Sequence, residues 1–397
     1  MPIAYAIKEA LSSSSMIRRM FEEGNQLKAQ YGADNVFDFS IGNPDIDPPP
    51  AFHQIFVKLA QDDLKGSHGY MANAGYRDVR AALAQKVNTE HGVTVDYTHI
   101  IMAVGASGGL NVVLKSILNP GDEVLVPCPY FVEYRSYINN HGGVFVPVET
   151  LTDFNLDISA IAEKLSSKTA AVLINSPHNP TGRVYPAHTI NALAEALNMH
   201  GNTCGRFPYL IVDEPYRELV YGGIPVAPIL SAYNESIVVN SYSKSLSIPG
   251  ERIGYVAVSP HASDKQLLLD ALIHATRVLG FTNAPALMQR IVAQLTTVKV
   301  DISVYERRLA VFRSILDQVG IRYANPEGTF YLFCHVPEGC NDIQFIEHLK
   351  NYLILGVPGS GFGKANWVRF AYCVNESIIA ASAQAFKKAM QRFLKST

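Results

Sequence analysis

A lysine, a carboxylate and several phosphate-binding side chains lie close together in the sequence. Lys244 ends a Ser-Tyr-Ser-Lys segment, Asp213 precedes that segment, and Arg252 follows the lysine by eight residues. A lysine amine can hold an aldehyde as a Schiff base, and pyridoxal phosphate enzymes combine such an amine with a carboxylate at the pyridinium nitrogen. The hydroxyls of Ser241 and Ser243 and the guanidinium of Arg252 suit a phosphate. These residues therefore predict a pyridoxal phosphate site.

Short apolar runs precede these residues and indicate the strands that position them. The runs are Ile100–Val104, Glu123–Val126, Val144–Val148, Ala170–Ile174, Tyr209–Val212, Ile237–Asn240 and Tyr255–Val258. Because helical stretches separate these runs, they predict a buried, mostly parallel sheet of seven strands. Ligands of such sheets bind beyond the carboxyl ends of the strands, so the polar residues that follow five of these runs predict one shared site.

The segment that follows the first run is rich in small residues. Gly105-Ala-Ser-Gly-Gly109 opens a helix, and Ala106 and Ser107 would let backbone N–H groups approach a phosphate. A plain tight turn is the alternative for this segment.

The sequence predicts an α/β protein with two domains. The proline-rich connector Pro44–Pro50 separates an N-terminal arm, residues 1–49, from a three-layer α/β domain over residues 50–285. Residues 286–397 are expected to form a smaller α+β domain that the N-terminal arm joins. Its predicted elements are a long helical stretch Leu287–Val319, strands Thr329–Cys334 and Val368–Tyr372, and a closing helix Ser377–Leu394.

Composition excludes several classes of protein. The 397 residues are 48% hydrophobic, and 33 basic against 35 acidic residues give a net charge of −2. This balance excludes extensive disorder and gives no basic surface for nucleic acid. The longest apolar window contains polar residues and is not expected to span a membrane. The five cysteines form no Cys-x-x-Cys pair, which predicts neither a metal site nor disulfides and fits the cytoplasm.

Three motifs in this order and spacing resemble the class I/II aminotransferases, fold-type I pyridoxal phosphate enzymes related to aspartate aminotransferases. The motifs are Asn-Pro-Thr-Gly at 179–182, Asp-x-x-Tyr at 213–216, and Ser-x-Ser-Lys at 241–244 followed by Gly-x-Arg-x-Gly at 250–254. The resemblance extends from about Phe37 to Phe393. It implies transfer of an amino group between an L-amino acid and a 2-oxo acid, and a homodimer whose subunits share active sites.

The resemblance also implies a role for each matching residue. Lys244 resembles the lysine that forms the internal aldimine and later moves the substrate Cα proton, and Asp213 resembles the partner of the pyridinium nitrogen. The other implied roles are donors to the ring 3′-oxygen (Tyr216, Asn179), a ring-stacking aromatic (Phe131), phosphate ligands (Ala106, Ser107, Ser241, Ser243, Arg252), a tyrosine that reaches the phosphate of the neighbouring subunit (Tyr70), and binding of the substrate carboxylate (Gly42, Asn179, Arg369).

Several points stay open at the level of sequence. Tyr70 could be an ordinary loop tyrosine, Arg369 could form a structural ion pair, and Asp213 could be a helix N-cap. Tyr130 competes with Phe131 as the stacking ring, and His178 is either a general base or a structural histidine. The Gly359–Lys364 segment looks phosphate-binding but fits neither nucleotide-binding pattern, so a loop packed near Arg369 is the better interpretation. Arg277 is either a reader of a distal carboxylate or a solvated helix residue.

The reaction itself has alternatives on the same scaffold. A C–S β-lyase would use the same Lys244 and the same cofactor contacts, so those residues do not separate it from an aminotransferase. A non-enzymatic regulator is the third alternative, and the complete set of Lys244, Asp213 and Arg252 argues against it.

Overall fold

A computed structural model of the chain describes residues 3–4, 7–8, 16–62 and 65–396. Helices α1–α15 are Met16–Tyr31, Pro50–Asp62, Arg77–His91, Gly105–Ile117, Tyr134–Asn140, Ile158–Lys164, Ala187–Cys204, Ile229–Ala232, Tyr242–Ser245, Lys265–Val278, Ala286–Ala293, Ser303–Val319, Asp342–Lys350, Glu376–Ala381 and Ala383–Ser396. Strands β1–β12 are Phe37–Asp38, Ile100–Ala103, Glu123–Cys128, Val144–Glu149, Thr169–Asn175, Tyr209–Asp213, Ser236–Ser241, Gly254–Val258, Tyr331–His335, Ile354–Leu355, Val357–Pro358 and Trp367–Ala371. Among the described residues, none of the helices is long and apolar enough to cross a membrane.

The central sheet has seven strands in the order β2-β8-β7-β6-β5-β3-β4. Strand β8 runs antiparallel to both of its neighbours, whereas β3 to β7 pair in parallel. All seven strands coincide with the predicted apolar runs to within two residues at each end. The predicted α/β class with a mostly parallel seven-stranded sheet is confirmed.

Both faces of this sheet are buried because its strands alternate between two hydrophobic cores. Along β6, Leu210 and Val212 pack into one core, while Ile211 packs into the other. Successive side chains of a strand point to opposite faces, so a continuous apolar run supplies both cores. Helices α3 and α7 cover one face, and helices α4 and α10 cover the other. The result is the three-layer arrangement that the sequence predicts.

The N-terminal arm packs against the C-terminal segment. Strand β1 pairs in parallel with β10, and β11, β12 and β9 form a separate antiparallel sheet. Phe39 of the arm contacts Phe312 of helix α12, with ring centroids 4.7 Å apart, and also packs near Phe370 and Phe386. Aromatic side chains bury large apolar areas, so this cluster accounts for the association of the two ends of the chain. The exact domain boundaries remain a prediction.

Two predicted helices are wrong because each is interrupted. The predicted Leu287–Val319 helix is divided into α11 and α12, and the closing helix is divided at Ser382 into α14 and α15. β-Branched residues at 296–298 disfavour a helix at the first break, where the Ser303 N–H donates to the carboxylate of Asp301 at 3.0 Å. At the second break, the Ser382 hydroxyl donates to the Ile379 carbonyl at 2.7 Å.

A buried group of charged residues begins at Glu214, the residue that follows the carboxyl end of β6. The Glu214 carboxylate accepts from Arg217 Nη1 at 2.8 Å and from His91 Nε2 at 3.0 Å. The Ile229 N–H donates to His91 Nδ1 at 3.1 Å, which assigns the ring proton to Nε2. Burial alone would raise the pKa of Glu214, but Arg217 and His91 lower it on balance. Glu214 is therefore a buried anion with two partners.

Replacing Glu214 with alanine is expected to lower the free energy of unfolding by about 3 kcal/mol, because the buried Arg217 guanidinium would lose its carboxylate partner at 2.8 Å and keep the longer ion pair with Glu90 at 3.8 Å. Urea unfolding followed by circular dichroism measures this loss. Glu163→Ala, at an exposed position of helix α6, is the control and is expected to leave the midpoint unchanged. Equal midpoints for both variants would contradict the interpretation.

Candidate active site

A cavity of about 270 Å³ lies at the carboxyl ends of the central strands. Its lining residues are Gly42, Ala106, Ser107, Leu110, Phe131, Asn175, Asn179, Asp213, Pro215, Tyr216, Ser241, Ser243, Lys244, Pro249, Arg252, Tyr331 and Arg369. This set contains every residue that the sequence assigns to the site except Tyr70. The fold therefore brings together residues that are more than 300 positions apart in the chain, Gly42 and Arg369.

Lys244 extends into the cavity from the short helix α9, which follows β7 directly. Its Nζ donates to the carbonyl oxygen of Gly42 at 2.9 Å. Burial lowers the pKa of Lys244 to about 8, and the nearby Arg369 and Arg252 contribute to this shift. A lysine with a lowered pKa has more of its amine in the neutral form, which is the form that acts as a nucleophile and as a base.

Asp213 ends strand β6, and its two carboxylate oxygens have different surroundings. Its Oδ2 accepts from the Tyr134 hydroxyl at 2.6 Å, whereas Oδ1 is buried and has no hydrogen-bond partner among the described residues. Burial raises the pKa of Asp213, the Tyr134 hydrogen bond opposes this effect, and the neighbouring Glu214 adds to it, so that the pKa is raised on balance to about 7. A buried carboxylate of this kind is stabilised by a cationic N–H at its free oxygen.

A second group of residues that line the cavity has the chemistry of an anion-binding site. Ser241 and Ser243 place their hydroxyl oxygens 3.2 Å apart, and Arg252 adopts a left-handed backbone conformation with φ of 50°. A Cβ at Gly105 would lie 2.6 Å from Arg252 Nη2, so the glycine permits the guanidinium to lie against the start of helix α4. Ser107 lies in the first turn of that helix. Helix N-termini, guanidinium groups and hydroxyls together favour a phosphate.

Arg369 also lines the cavity and has a fixed orientation. Its Nη1 donates to Asn179 Oδ1 at 3.1 Å, and its Nη2 donates to the Ser40 carbonyl at 2.8 Å. The guanidinium carbon lies 4.4 Å from the ring centroid of Tyr331 and 4.8 Å from that of Phe362. These contacts hold the planar fork in a geometry that suits a carboxylate. Arg369 is therefore a buried and oriented cation in the cavity lining.

The structure distinguishes the two aromatic candidates by location. Phe131 lines the cavity, whereas Tyr130 packs against Phe145 with ring centroids 4.8 Å apart. The Tyr130 N–H donates to the carbonyl of Phe362 at 3.0 Å, which fixes Tyr130 against the C-terminal segment. Tyr70 lies outside the cavity of its own chain and is 94% exposed.

The remaining open candidates lie outside the cavity lining. His178 is buried, its Nδ1 lies 2.7 Å from the Thr181 hydroxyl, and burial lowers its pKa to about 4. This environment is typical of a neutral structural histidine. The short 3₁₀ helix Gly359–Phe362 places the Phe362 ring beside Arg369, and Lys364 pairs with Glu149 at 2.7 Å. That segment is a loop packed near Arg369, as the sequence indicates.

Sequence reasoning missed three residues of the site. Tyr134, which donates to Asp213, stands in the Pro-Tyr-Phe-x-x-Tyr segment at 129–134, so its spacing offered a signal. Asn175 is the last residue of β5, and its Nδ2 donates to the Asp213 carbonyl at 2.7 Å. Tyr331 lies within the predicted strand Thr329–Cys334, where an aromatic residue gives no sign of a functional role. Only the fold places Tyr331 beside Arg369.

The arrangement combines three chemical capacities in one cavity. A neutral amine on Lys244 can attack a carbonyl or accept a proton, and the free oxygen of Asp213 can stabilise a cationic nitrogen. Arg369 can hold a carboxylate at a fixed distance from that amine, which orients a bound amino acid.

Comparison with known proteins agrees with this chemistry. The sequence profile of the family "Aminotransferase class I and II" matches residues 34–386. A probable aspartate/prephenate aminotransferase of Thermus aquaticus is 32% identical over 360 residues, which cover 89% of this chain and 91% of that protein.

Solved structures agree as well. An aminotransferase of Eubacterium rectale superposes with a TM-score of 0.95 at 36% identity and 99% coverage of both chains. The aspartate aminotransferase of Thermus thermophilus with maleate superposes with a TM-score of 0.88 at 27% identity, covering 98% of this chain and 100% of that one. The chain belongs to the class I and II aminotransferases, and it is an aminotransferase by activity.

Proposed function

We propose that this aminotransferase uses pyridoxal 5′-phosphate bound in the cavity. The observation that carries this proposal is Asp213 Oδ1, which is buried, has no hydrogen-bond partner in the described part of the chain and belongs to a residue that lines the same cavity as Lys244. Asp213 would bind the pyridinium nitrogen, and Phe131 would stack on the ring. The phosphate would be held by Ala106, Ser107, Ser241, Ser243 and Arg252, and the ring 3′-oxygen by Tyr216 and Asn179. When bound, the cofactor supplies an electron sink for the carbanion that loss of the Cα proton creates.

The protein's own residues orient and deprotonate the substrate. Arg369 and Asn179 bind the α-carboxylate close to the Gly42 backbone, which limits rotation of the amino acid about Cα. Lys244 Nζ would then take the Cα proton, hold it as an ammonium group and give it back later in the reaction, so one residue would act as base and as acid. The Gly42 carbonyl accepts from this Nζ and fixes its position between these transfers.

Chemical trapping tests the cofactor assignment. Treatment of the purified protein with pyridoxal phosphate and then borohydride is expected to attach a pyridoxyl group to Lys244, as mass mapping of the peptides would show. Pyridoxal phosphate also reacts slowly with exposed lysines, so labelling of the exposed Lys168 in the same sample measures this non-specific background. Labelling of surface lysines without labelling of Lys244 would refute the proposal.

The reaction proposed is amino transfer between an L-amino acid and a 2-oxo acid. The relatives described above are all named aminotransferases. No feature of the cavity lining favours the C–S β-lyase alternative. The five cysteines are free thiols, which supports the proposed cytoplasmic location.

We further propose a homodimer in which Tyr70 serves the partner's site. Support comes from the exposure of Tyr70, which is 94% exposed on a single chain although it is a large aromatic residue. We also propose that each subunit consists of an N-terminal arm, residues 1–49, a large domain, residues 50–285, and a small domain, residues 286–397, which the arm joins.

Tyr70→Phe is expected to weaken binding of pyridoxal phosphate about tenfold, because it removes one hydrogen bond to the phosphate of the neighbouring subunit. Fluorescence titration of the apoprotein measures this, and sedimentation shows whether the variant remains a dimer. Tyr31→Phe, at another exposed tyrosine, is the matched control. An unchanged affinity, or a wild-type monomer in solution, would contradict the shared site.

Arg277→Ala is expected to lower kcat/KM for aspartate and glutamate about tenfold or more and to leave alanine and aromatic substrates unchanged. Arg277 is exposed, with Nη2 3.4 Å from His274 Nδ1, and lies outside the cavity of its own chain. Arg277 would therefore contact the distal carboxylate of a substrate only in the active site of the other subunit of the proposed dimer. Equal losses for all amino acids would contradict this role.

A further inference from the structure

Tyr331 contacts both halves of the site although no sequence motif points to it. Its side chain is buried at the start of β9 and lines the cavity. The hydroxyl lies 3.0 Å from the hydroxyl of Tyr216. A Cβ at position 42 would lie only 1.9 Å from the same hydroxyl, so Gly42 leaves the space that Tyr331 occupies. The hydroxyl thus lies between the Tyr216 side chain and the backbone that holds Lys244.

The ring of Tyr331 makes a separate contact. The Arg369 guanidinium carbon lies 4.4 Å from its centroid, within the distance at which a cation is attracted to an aromatic face. Both residues are almost completely buried, so water screens this attraction little. The ring therefore contributes to the orientation of the guanidinium independently of the hydroxyl.

The backbone before Tyr331 is held firmly in place. Thr329 has a φ of 68°, an unfavourable value for a β-branched residue. Its N–H donates to the Leu219 carbonyl at 2.8 Å, and its own carbonyl accepts from the hydroxyls of Tyr221 and Tyr372. Strain of this kind persists where the surrounding contacts determine the position. These contacts fix the point from which the Tyr331 side chain enters the cavity.

We propose that Tyr331 is a positioning residue with two separable functions: its hydroxyl orients the Tyr216 hydroxyl, and its ring orients the Arg369 guanidinium. The first function affects the cofactor side of the site and rests on the proposed role of Tyr216. The second affects binding of the substrate carboxylate.

Two variants of Tyr331 separate the functions. Tyr331→Phe removes the hydroxyl and keeps the ring, whereas Tyr331→Leu removes both. We expect Tyr331→Phe to shift the pH midpoint of the absorbance change of bound pyridoxal phosphate by about half a unit or more, because Tyr216 loses its hydrogen-bond partner. Its KM for the amino acid should stay within about twofold of wild type. Tyr331→Leu should show the same spectral shift and raise that KM about tenfold.

Tyr305→Phe is the matched control. Tyr305 is buried, its ring lies 5.4 Å from that of Phe330, and its hydroxyl has no partner among the described residues. It lies outside the cavity lining, so this variant should match wild type in both measurements.

The outcomes distinguish this inference from the proposed function. A wild-type protein that fails to bind pyridoxal phosphate would refute the proposed function. A functional wild type whose midpoint is unchanged in Tyr331→Phe would refute the role of the hydroxyl, and an unchanged KM in Tyr331→Leu would refute the role of the ring. If Tyr331→Leu does not fold, Tyr331→Phe still tests the role of the hydroxyl. Tyr331→Met then takes the place of Tyr331→Leu as the variant without a ring.

Discussion

Lys244→Ala is expected to reduce kcat for amino transfer by about four orders of magnitude or more, because one substitution removes both the nucleophile and the base. The other proposed cofactor contacts remain, so the variant should still bind pyridoxal phosphate. The structure supports this expectation because Lys244 Nζ lies inside the cavity, 2.9 Å from the Gly42 carbonyl. Steady-state kinetics with a coupled assay for the 2-oxo acid product measures the loss.

Two further variants test why the amine is needed. Lys244→Arg keeps the positive charge, but a guanidinium stays protonated and cannot serve as a base, so it should be as inactive as the alanine variant. Lys168→Ala, at an exposed position, should leave kcat unchanged. Lys244→Ala with more than about one per cent of wild-type kcat would contradict the assignment, since loss of a general base alone costs about 10²–10⁴-fold.

Asp213→Ala is expected to weaken binding of pyridoxal phosphate and to slow removal of the Cα proton by several orders of magnitude, on the order of 10³-fold or more. The physical reason is the environment of the carboxylate, which is 6% exposed and whose burial raises its pKa to about 7. A cation beside Oδ1, which has no hydrogen-bond partner among the described residues, would favour the charged carboxylate, and the carboxylate would in turn keep the ring nitrogen of bound pyridoxal phosphate protonated.

Exchange of the Cα hydrogen of an amino acid with deuterated solvent measures the proton-transfer step of Asp213→Ala directly. Asp213→Asn, which keeps the shape and removes the charge, should be similarly slow. Tyr134→Phe removes only the hydrogen bond to Oδ2 and should cost about tenfold at most. A twofold effect of Asp213→Ala would mean that another group holds the ring nitrogen.

Much of the fold could be predicted because the central strands are buried on both faces. Each apolar run is continuous, and helical segments separate one run from the next. The strand positions and the mostly parallel sheet therefore follow from the sequence pattern alone. Strand order and the antiparallel direction of β8 depend on long-range pairing, which periodicity does not encode. The helix breaks near residue 297 and at Ser382 arise from local side-chain preferences within otherwise helical sequences.

Within the site, most residues at or just beyond strand ends were predictable, with Asn175 as an exception, whereas residues placed by packing were not. Lys244, Asp213 and Asn179 stand at strand ends, where ligands of α/β proteins bind. Tyr331 belongs to a separate sheet, and its contact with Arg369 depends on how the two sheets meet. Tyr70 differs again, because its proposed partner lies on another chain, and the fold of one chain therefore leaves its role as a proposal.

The most direct test of amino transfer through Lys244 is a half-reaction. The protein loaded with pyridoxal phosphate is mixed with one L-amino acid at a time, without a 2-oxo acid, and its absorbance spectrum is followed. We predict that at least one amino acid converts the cofactor to the pyridoxamine form, with one 2-oxo acid released per chain, and that an added 2-oxo acid reverses the change. Lys244→Ala should show no such conversion. Release of ammonia without conversion of the cofactor, or full conversion by Lys244→Ala, would contradict this account.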